Sequence, residues 1–348
     1  MADHIFPRNE NVSRKKVCII HTGGTIGMQR TPHGYAPQKG SIEKAIAEIG
    51  ELNAEEMPLY DLVNYEPLLD SSNVSIHEWI KLSQDIESRY SNYDGFVILH
   101  GTDTMAYTAS ALSFMLEGLA KPIIVTGSQI PLCEIRNDAR DNLIAAMLIA
   151  AEGEIPEVCL YFGNRLFRGN RATKISSDEL VAFDSPNYPV LAEAGVHIEV
   201  NRKYLREKAQ QLILRKFEKQ QIGVLKIFPG IQFEVFENIF TDNLGGIVLE
   251  AFGVGNIPES PALIRILQKA EENGTIVVVC TQCLRGSVSI GTYEASDLLV
   301  RAGAVSGWDM TVEAAVTKLY YLLSQGCSRA EIKSLMQANL RGELTLPE

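Results

Sequence analysis

Residues 17–27 read VCIIHTGGTIG, and residues 94–104 read DGFVILHGTDT. In each stretch an apolar, β-branched run ends in a glycine turn that carries threonine, which predicts a buried strand followed by a tight loop. In open α/β sheets, ligands bind beyond the carboxyl ends of the strands. Two threonines at that edge, with Asp103 beside one of them, favour nucleophilic chemistry over packing.

The same alternation of strand and helix patterns continues along the chain. Further apolar runs at 122–126 and 158–162 predict strands. Between successive predicted strands, apolar residues recur at helical spacing, as at 105–119 and 137–152. The pattern resumes at residue 222 and ends in a helical tail. We therefore predict an α/β protein of two domains: a larger N-terminal domain with a mainly parallel, doubly wound sheet, and a smaller C-terminal α/β domain with a parallel sheet.

A chain of 348 residues is long enough for about two domains. We predict an N-terminal extension at 1–16, a catalytic domain at 17–201, a linker at 202–220 and a C-terminal domain at 221–348. Residues 202–219 hold seven basic and two acidic side chains, with little glycine punctuation. That texture is typical of a linker or surface hairpin, and a basic binding patch is the alternative.

Charge and hydropathy exclude several classes of partner. The net charge is −11, which argues against nucleic acid, because phosphate binding relies on basic clusters. The run 143–151 is the longest apolar stretch and falls far short of the ~20 residues of a membrane-spanning helix. The first residues lack the apolar core of a secretory signal, so we expect a cytoplasmic protein.

The six cysteines are expected to be free thiols in a cytosolic chain. Cys280 and Cys283 have CxxC spacing, but the sequence contains no second pair and its six histidines are scattered. We therefore predict no metal site. Cys280 ends an apolar run, which indicates a buried strand residue.

The turn around Thr25 has three interpretations from the residues alone. In a catalytic loop, Gly23 and Gly24 would let the backbone approach a ligand and offer N–H groups to an oxyanion. A phosphate-binding loop is the second, although GGTIG is not GxGxxG and no Gly-Lys-Ser/Thr follows. A purely structural turn is the third.

Other polar residues near strand ends are equally open. Asp103 precedes the helical spacing that begins at Met105, so it either caps that helix or receives an ammonium group or a lysine. The cluster DSSN at 70–73 is typical of a turn and helix start. Nothing in the spacing alone selects Lys174 from the other lysines.

At these residues the chain resembles the bacterial type I, cytoplasmic L-asparaginases. The resemblance rests on TGGTIG at 22–27 and ILHGTDTMAYTASALSFML at 98–116, and it extends through KPIIVTGSQIPL, RLFRGNRATK and GVGN. It covers residues 17–344. It implies hydrolysis of L-asparagine to L-aspartate and ammonia, with no metal or organic cofactor.

The resemblance also assigns roles to particular residues. It implies that Thr25 is the nucleophile and that a loop closing over the site carries Tyr35. It also implies that Thr102, Asp103 and Lys174 relay protons and bind the substrate. Asp70, Ser71 and Ser72 are expected to line the substrate site. The family forms tetramers, as dimers of dimers, so Asn256 is expected to reach a neighbouring subunit's site.

Some members of this family bind asparagine at a second, regulatory site in the C-terminal domain. The matching positions here are Glu250, Ala251, Phe252, Thr281, Gln282 and Cys283. Where the family pattern has an arginine, this chain has Glu250, whose charge would repel the substrate carboxylate. These six residues are therefore a candidate allosteric site at which Glu250 disfavours activation by asparagine.

Two other functions are weighed against hydrolysis of asparagine. A glutamine-hydrolysing amidotransferase subunit would need an additional N-terminal domain, whereas 21 residues precede Thr22. A non-catalytic α/β module that binds a small ligand is disfavoured, because the chain has neither a P-loop lysine nor a dinucleotide fingerprint.

Overall fold

The computed structural model describes residues 14–237, 239, 243–291 and 296–346. The chain divides into two compact units, with the boundary between Leu214 and Arg215. Within the described ranges, no helix combines the length and the apolar character needed to cross a membrane.

The first unit begins with a strand and alternates strands with helices. Its strands are β1 (Lys16–Gly23), β2 (Met28–Thr31), β3 (Gly34–Pro37), β4 (Leu59–Leu69), β5 (Gly95–Leu99), β6 (Leu116–Glu117), β7 (Ile123–Thr126), β8 (Val158–Phe162), β9 (Arg165–Arg168), β10 (Thr173–Lys174), β11 (Phe183–Asp184), β12 (Ala192–Ala194), β13 (Ile198–Val200) and β14 (Ile213–Leu214). Its helices are α1 (Ser41–Ala47), α2 (Ile76–Arg89), α3 (Met105–Met115) and α4 (Ala139–Glu152).

An eight-stranded sheet organises this unit, in the order β13-β12-β9-β8-β7-β5-β1-β4. Five neighbouring strands, β4, β1, β5, β7 and β8, run parallel. The sheet continues through β9, β12 and β13, each of which pairs antiparallel with its neighbour. In chain order the parallel strands are arranged 2-1-3-4-5. The order therefore reverses between β1 and β5, which is the switch point where such sheets bind ligands.

Helices cover both faces of the sheet. Alternate residues of β1 point to opposite faces, so each set packs against different helices. Val17 and Ile19 pack in one core with α1 and α4, whereas Cys18 and Ile20 pack in another with α2 and α3. Burial of each such side chain contributes about 1.5–3 kcal/mol. The predicted doubly wound, mainly parallel sheet is confirmed.

The second unit contains a smaller sheet of parallel strands. Its strands are β15 (Ile222–Lys226), β16 (Gly246–Ala251), β17 (Ile276–Thr281) and β18 (Val305–Ser306), and its helices are α5 (Pro261–Glu272), α6 (Asp297–Arg301), α7 (Val312–Leu323) and α8 (Arg329–Met336). The strands pair in chain order, all parallel. This arrangement confirms the predicted second α/β domain.

The basic stretch 202–220 contains the boundary between the units. Its first part belongs to the first unit, where the Arg206 backbone N–H donates to Glu157 at 2.8 Å and β14 pairs with β6. Arg202 forms an ion pair with Glu154 at 2.6 Å. At least one basic side chain of the stretch is thus used in an ion pair within the first unit.

Candidate active site

Four neighbouring parallel strands end in polar loops at one edge of the large sheet. The loops that follow β4, β1, β5 and β7 contain Ser71, Thr25, Thr102 and Gln129, respectively. Because parallel strands have their carboxyl ends at the same edge, these side chains are gathered at the switch point.

Two glycines bring three of these loops into direct contact. Gly24 has φ 87°, and a Cβ there would lie 2.4 Å from the Gly101 nitrogen. A Cβ on Gly101 would lie 2.5 Å from the Ser71 Oγ. Real Cβ atoms essentially never make contacts this short. The turns after β1, β5 and β4 are therefore packed together with no room for side chains between them.

Thr25 begins a short 3₁₀ turn, Thr25–Gly27, directly after the two glycines. Its side chain is half-buried, and within the described residues its hydroxyl makes no hydrogen bond. By contrast, the neighbouring Thr22 hydroxyl is buried and donates to the Leu99 carbonyl at 3.0 Å. The Thr22 hydroxyl thus joins β1 to β5, whereas the Thr25 hydroxyl has no such structural contact in the described residues.

Lys174 reaches the turn after β5 from a distant part of the sequence. Its Nζ donates to the Thr102 Oγ1 at 2.9 Å and to the Asp103 Oδ1 at 2.7 Å. Thr102 is 7% exposed, whereas the Asp103 side chain is 65% exposed. The cluster therefore has a buried hydroxyl, a bridging ammonium group and a carboxylate that faces solvent.

The turn after β7 contributes Gln129, to which the sequence motifs alone assign no role. The Thr102 hydroxyl donates to the Gln129 Oε1 at 3.4 Å, and the Gln129 backbone N–H donates to Asp138 at 2.9 Å. Gln129 follows a predicted strand within the motif KPIIVTGSQIPL, as Thr102 follows β5. Its position after the neighbouring strand was the available signal.

The DSSN cluster forms a 3₁₀ turn, Ser71–Asn73, that Asp70 caps by accepting the Ser72 backbone N–H at 3.0 Å. Ser71 is 5% exposed, and its carbonyl accepts the Thr104 hydroxyl at 2.8 Å. Asp70 and Ser72 are exposed. Of these residues, Ser71 contacts the turn of Thr102 through Gly101, and Asp70 shapes the turn.

Tyr35 lies on the hairpin of β2 and β3, which follows the Thr25 turn. Its side chain is 45% exposed and its phenol donates to Glu134 at 2.7 Å. Within the described residues it makes no hydrogen bond with Thr25. The structure thus places Tyr35 on a hairpin that follows the predicted nucleophile in sequence, and its hydroxyl donates its hydrogen bond to Glu134.

A buried histidine, His100, anchors the turn after β5 through hydrogen bonds to Gly101 and to Thr108 on α3. His100 is 2% exposed, and its Nδ1 lies 2.7 Å from the Gly101 carbonyl, which can only accept. Its Nε2 therefore accepts from the Thr108 hydroxyl at 3.0 Å, and Thr108 accepts from the Trp79 indole N–H at 3.0 Å. Burial lowers the pKa of His100, which favours the neutral ring that this chain of hydrogen bonds requires.

In the second unit, Asn256 closes a tight turn after β16. Its backbone N–H donates to the Phe252 carbonyl at 2.8 Å, and the two residues form an isolated β-bridge. The side-chain Oδ1 of Asn256 is buried and has no hydrogen-bond partner within the described residues.

The positions matched to a regulatory site lie at the ends of β16 and β17. Glu250 pairs in register with Cys280, and Ala251 with Thr281. The side chain of Gln282 donates to the Glu250 carbonyl at 2.7 Å, and the Glu250 carboxylate lies 3.7 Å from the Lys226 ammonium.

Phe252 follows β16 in the turn that Asn256 closes, and Cys283 donates its backbone N–H to the Thr281 hydroxyl at 3.0 Å. The six positions lie together at the ends of β16 and β17, and the only ionic contact of Glu250 in the described residues is with Lys226.

Comparison with known proteins places this geometry in a family context. A family model described as "Asparaginase, N-terminal" matches residues 16–206, and one described as "Glutaminase/Asparaginase C-terminal domain" matches residues 221–336. The chain is 48% identical to L-asparaginase 1 of Escherichia coli K12, with 96% of this chain and 99% of that protein covered.

Two further proteins resemble this chain, one a solved structure of an asparaginase and the other a more distant relative in sequence. The crystal structure of L-asparaginase I from Vibrio cholerae superposes with a TM-score of 0.89 at 47% identity, over 96% of this chain and 100% of that one. A glutamyl-tRNA(Gln) amidotransferase component from Methanobrevibacter smithii is 32% identical over 95% of this chain and 77% of that protein.

Proposed function

The chain belongs to the asparaginase family, and we propose that it hydrolyses L-asparagine to L-aspartate and ammonia. The observation that carries the proposal is the cluster of Lys174, Thr102 and Asp103, which lies beside the Thr25 turn at the switch point of the sheet. The names of the close relatives support the same substrate.

In the proposed mechanism, the Thr25 hydroxyl attacks the carbonyl carbon of the side-chain amide. Its proton passes to the leaving amine, the C–N bond breaks and a β-aspartyl ester remains on Thr25. Water then hydrolyses the ester and restores the hydroxyl. Backbone N–H groups of the glycine-rich turns stabilise the oxyanion of both steps, and one such donor is worth about 3 kcal/mol.

Lys174 and Thr102 form one proton relay in this scheme, and Tyr35 serves Thr25 in the other. Thr102 accepts from Lys174 and donates to Gln129, so its hydroxyl joins the lysine to the polar edge of the site. Positioned acid–base groups of this kind contribute about 10²–10⁴-fold to the rate.

Substrate recognition follows from the charges at the edge of the site. The exposed carboxylate of Asp103 is suited to the α-ammonium group of asparagine, and the buried Ser71 hydroxyl to its α-carboxylate. Analogues that lack either group would lose one of these two contacts and would be rejected. Glutamine differs by one methylene, which discriminates by only about 1–3 kcal/mol, so a low glutaminase activity is part of the proposal.

We also propose a cytoplasmic homotetramer, a dimer of dimers, as the family resemblance implies. In that assembly Asn256 would contribute to a neighbouring subunit's site. Asparagine bound at Glu250 is not expected to activate the enzyme.

The deciding experiment measures ammonia and aspartate released by the purified full-length protein. We expect stoichiometric release of both from L-asparagine, slower release from L-glutamine and none from analogues that lack the α-ammonium or α-carboxylate group. No asparagine-dependent ammonia would reject the proposed function, and glutamine as the preferred substrate would favour an amidotransferase-like activity instead.

A further inference from the structure

One carboxylate outside the predicted catalytic set binds two side chains of the tyrosine hairpin. Arg30 on β2 and Tyr35 on β3 are directly opposed in the hairpin register. The Tyr35 phenol donates to the Glu134 Oε1 at 2.7 Å, and the Arg30 guanidinium lies 3.3 Å from the same oxygen. Arg30 also donates to the Tyr35 hydroxyl at 3.4 Å, so the three side chains form a closed triangle.

This triangle determines what the phenol can do. A tyrosine hydroxyl has a single proton to donate, and here that proton is directed at Glu134. The Tyr35 hydroxyl therefore cannot donate to Thr25 at the same time. Any step in which Tyr35 returns a proton to the Thr25 oxygen, as in hydrolysis of the ester, requires this hydrogen bond to break first.

Glu134 is well suited to hold the hairpin because its own backbone is anchored. The Glu134 N–H donates to the Pro131 carbonyl at 3.0 Å, and the Asn137 side chain donates to the Glu134 carbonyl at 2.6 Å. The Glu134 side chain is 26% exposed, compared with 74% for Arg30. The carboxylate is thus the more fixed partner, and the two hairpin side chains are the more exposed ones.

The start of the hairpin, at Met28, is held by contacts other than the triangle. The triangle therefore restrains only the outer part of the hairpin, which carries Tyr35. The Leu132 N–H donates to the Ile26 carbonyl at 3.2 Å, and the Cys133 thiol lies 3.4 Å from the Met28 carbonyl. These contacts hold the start of β2 beside the Thr25 turn. Release of Glu134 would free the outer hairpin while the root stays in place.

We infer that Glu134 is a positioning residue that, together with Arg30, holds the Tyr35 phenol away from Thr25 until substrate binds. The inference rests on the proposed function, in which Tyr35 serves the nucleophile. Substrate binding then selects the hairpin conformation in which the triangle is broken and the phenol is available to Thr25.

The consequence for kinetics follows from population-shift arithmetic. If only a fraction of unliganded molecules has a released hairpin, the apparent affinity for substrate is reduced by that fraction. Removal of the carboxylate raises the fraction. Because exposed ion pairs and single hydrogen bonds are weak, we expect KM for asparagine to fall by about threefold to tenfold in Glu134→Ala, with kcat changed by less than about twofold.

The experiment compares Glu134→Ala, Glu134→Gln and a matched control, Glu51→Ala. Glu51 is another exposed carboxylate of the same unit, and it pairs with Arg140 rather than with the hairpin. Steady-state kinetics with L-asparagine are combined with hydrogen exchange of the hairpin amides, residues 28–37, in the absence of substrate. The glutamine variant keeps an oxygen for the phenol but loses the charge that faces Arg30.

We expect Glu134→Ala to lower KM and to accelerate exchange of the hairpin amides, with Glu134→Gln intermediate and Glu51→Ala like wild type. Unchanged exchange and KM in Glu134→Ala would overturn the inference. A fall in kcat that Glu134→Gln restores would also overturn it, because Glu134 would then assist the chemistry. Exchange is measured without turnover, so a failure of the proposed function would be recognised separately, by the absence of ammonia release from wild type.

Discussion

Replacement of Gly101 with alanine should remove most of the activity without altering any polar group of the site. Gly101 has φ −72° and ψ 146°, which alanine adopts without strain, so the effect must come from contacts of the added methyl group. That methyl would lie 2.5 Å from the Ser71 Oγ, 2.7 Å from the Ser71 Cβ and 3.3 Å from the Gly24 Cα. Rotation of the serine side chain could relieve the first contact but not the second.

The size of the effect follows from the distance that must be gained. Ordinary van der Waals contact begins at 3.4 Å, so the turns of Gly101 and Ser71 must separate by well over half an ångström. Misplacement of reacting groups by about 1 Å can cost about 10²-fold in rate. We therefore predict a fall of about 100-fold in kcat/KM, together with a loss of about 1–3 kcal/mol in the free energy of unfolding, as is typical of overpacking.

The assay is ammonia release from L-asparagine, combined with thermal unfolding of the same preparations. Gly50→Ala is the matched control, because a Cβ at Gly50 would meet no atom within 4 Å. The control should retain wild-type activity and stability. If Gly101→Ala also stays within threefold of wild type, the three turns do not form one tightly packed site and the reasoning is refuted.

Three further predictions concern Lys174 in the first unit and Lys318 with Glu343 in the second. Lys174→Met should lower kcat by at least about 10²-fold, since it removes the group that joins Thr102 to Asp103, and an activity within threefold of wild type would contradict that role. In the second unit, Lys318 and Glu343 form an ion pair with both side chains fully buried, so Lys318→Met should lower the free energy of unfolding by about 3–5 kcal/mol, because it leaves a buried carboxylate without its partner. Burial alone would raise the pKa of Glu343, but Lys318 and the N–H groups of Leu340 and Arg341 outweigh it and lower that pKa. The stability from this lowered pKa is present above the ordinary carboxyl value and is lost as the pH falls through the folded-state pKa, so urea unfolding from pH 7 to 3 should show a steeper acid loss in wild type than in a variant with both Lys318→Met and Glu343→Leu.

Much of the fold could be predicted because its information is local. The buried strands of the parallel sheet are short apolar runs, and each is followed by a turn with glycine or polar residues. The position of Thr25 and Thr102 at the same sheet edge then follows from the geometry of parallel strands. Their neighbourhood at the switch point needed the strand order, which no local pattern contains.

The rest of the site depends on contacts between residues distant in sequence. Lys174 reaches Thr102 across 72 positions, and Glu134 binds Tyr35 across 99. Neither contact leaves a periodic or compositional signal, so the family resemblance was needed for Lys174 and the structure for Glu134. For Gln129, the position after a predicted strand was an available signal, but its contact with Thr102 depends on the pairing of β7 with β5.

The central claim, that Thr25 is the nucleophile of an asparagine-hydrolysing site, is tested most directly by ammonia release from Thr25→Ala and Thr25→Ser. The Thr25 hydroxyl makes no hydrogen bond within the described residues, so its removal takes away the proposed nucleophile and no structural bond. We predict that the alanine variant folds with wild-type stability and loses at least about 10³-fold in kcat, whereas the serine variant keeps measurable turnover. Undiminished release from the alanine variant would contradict the account.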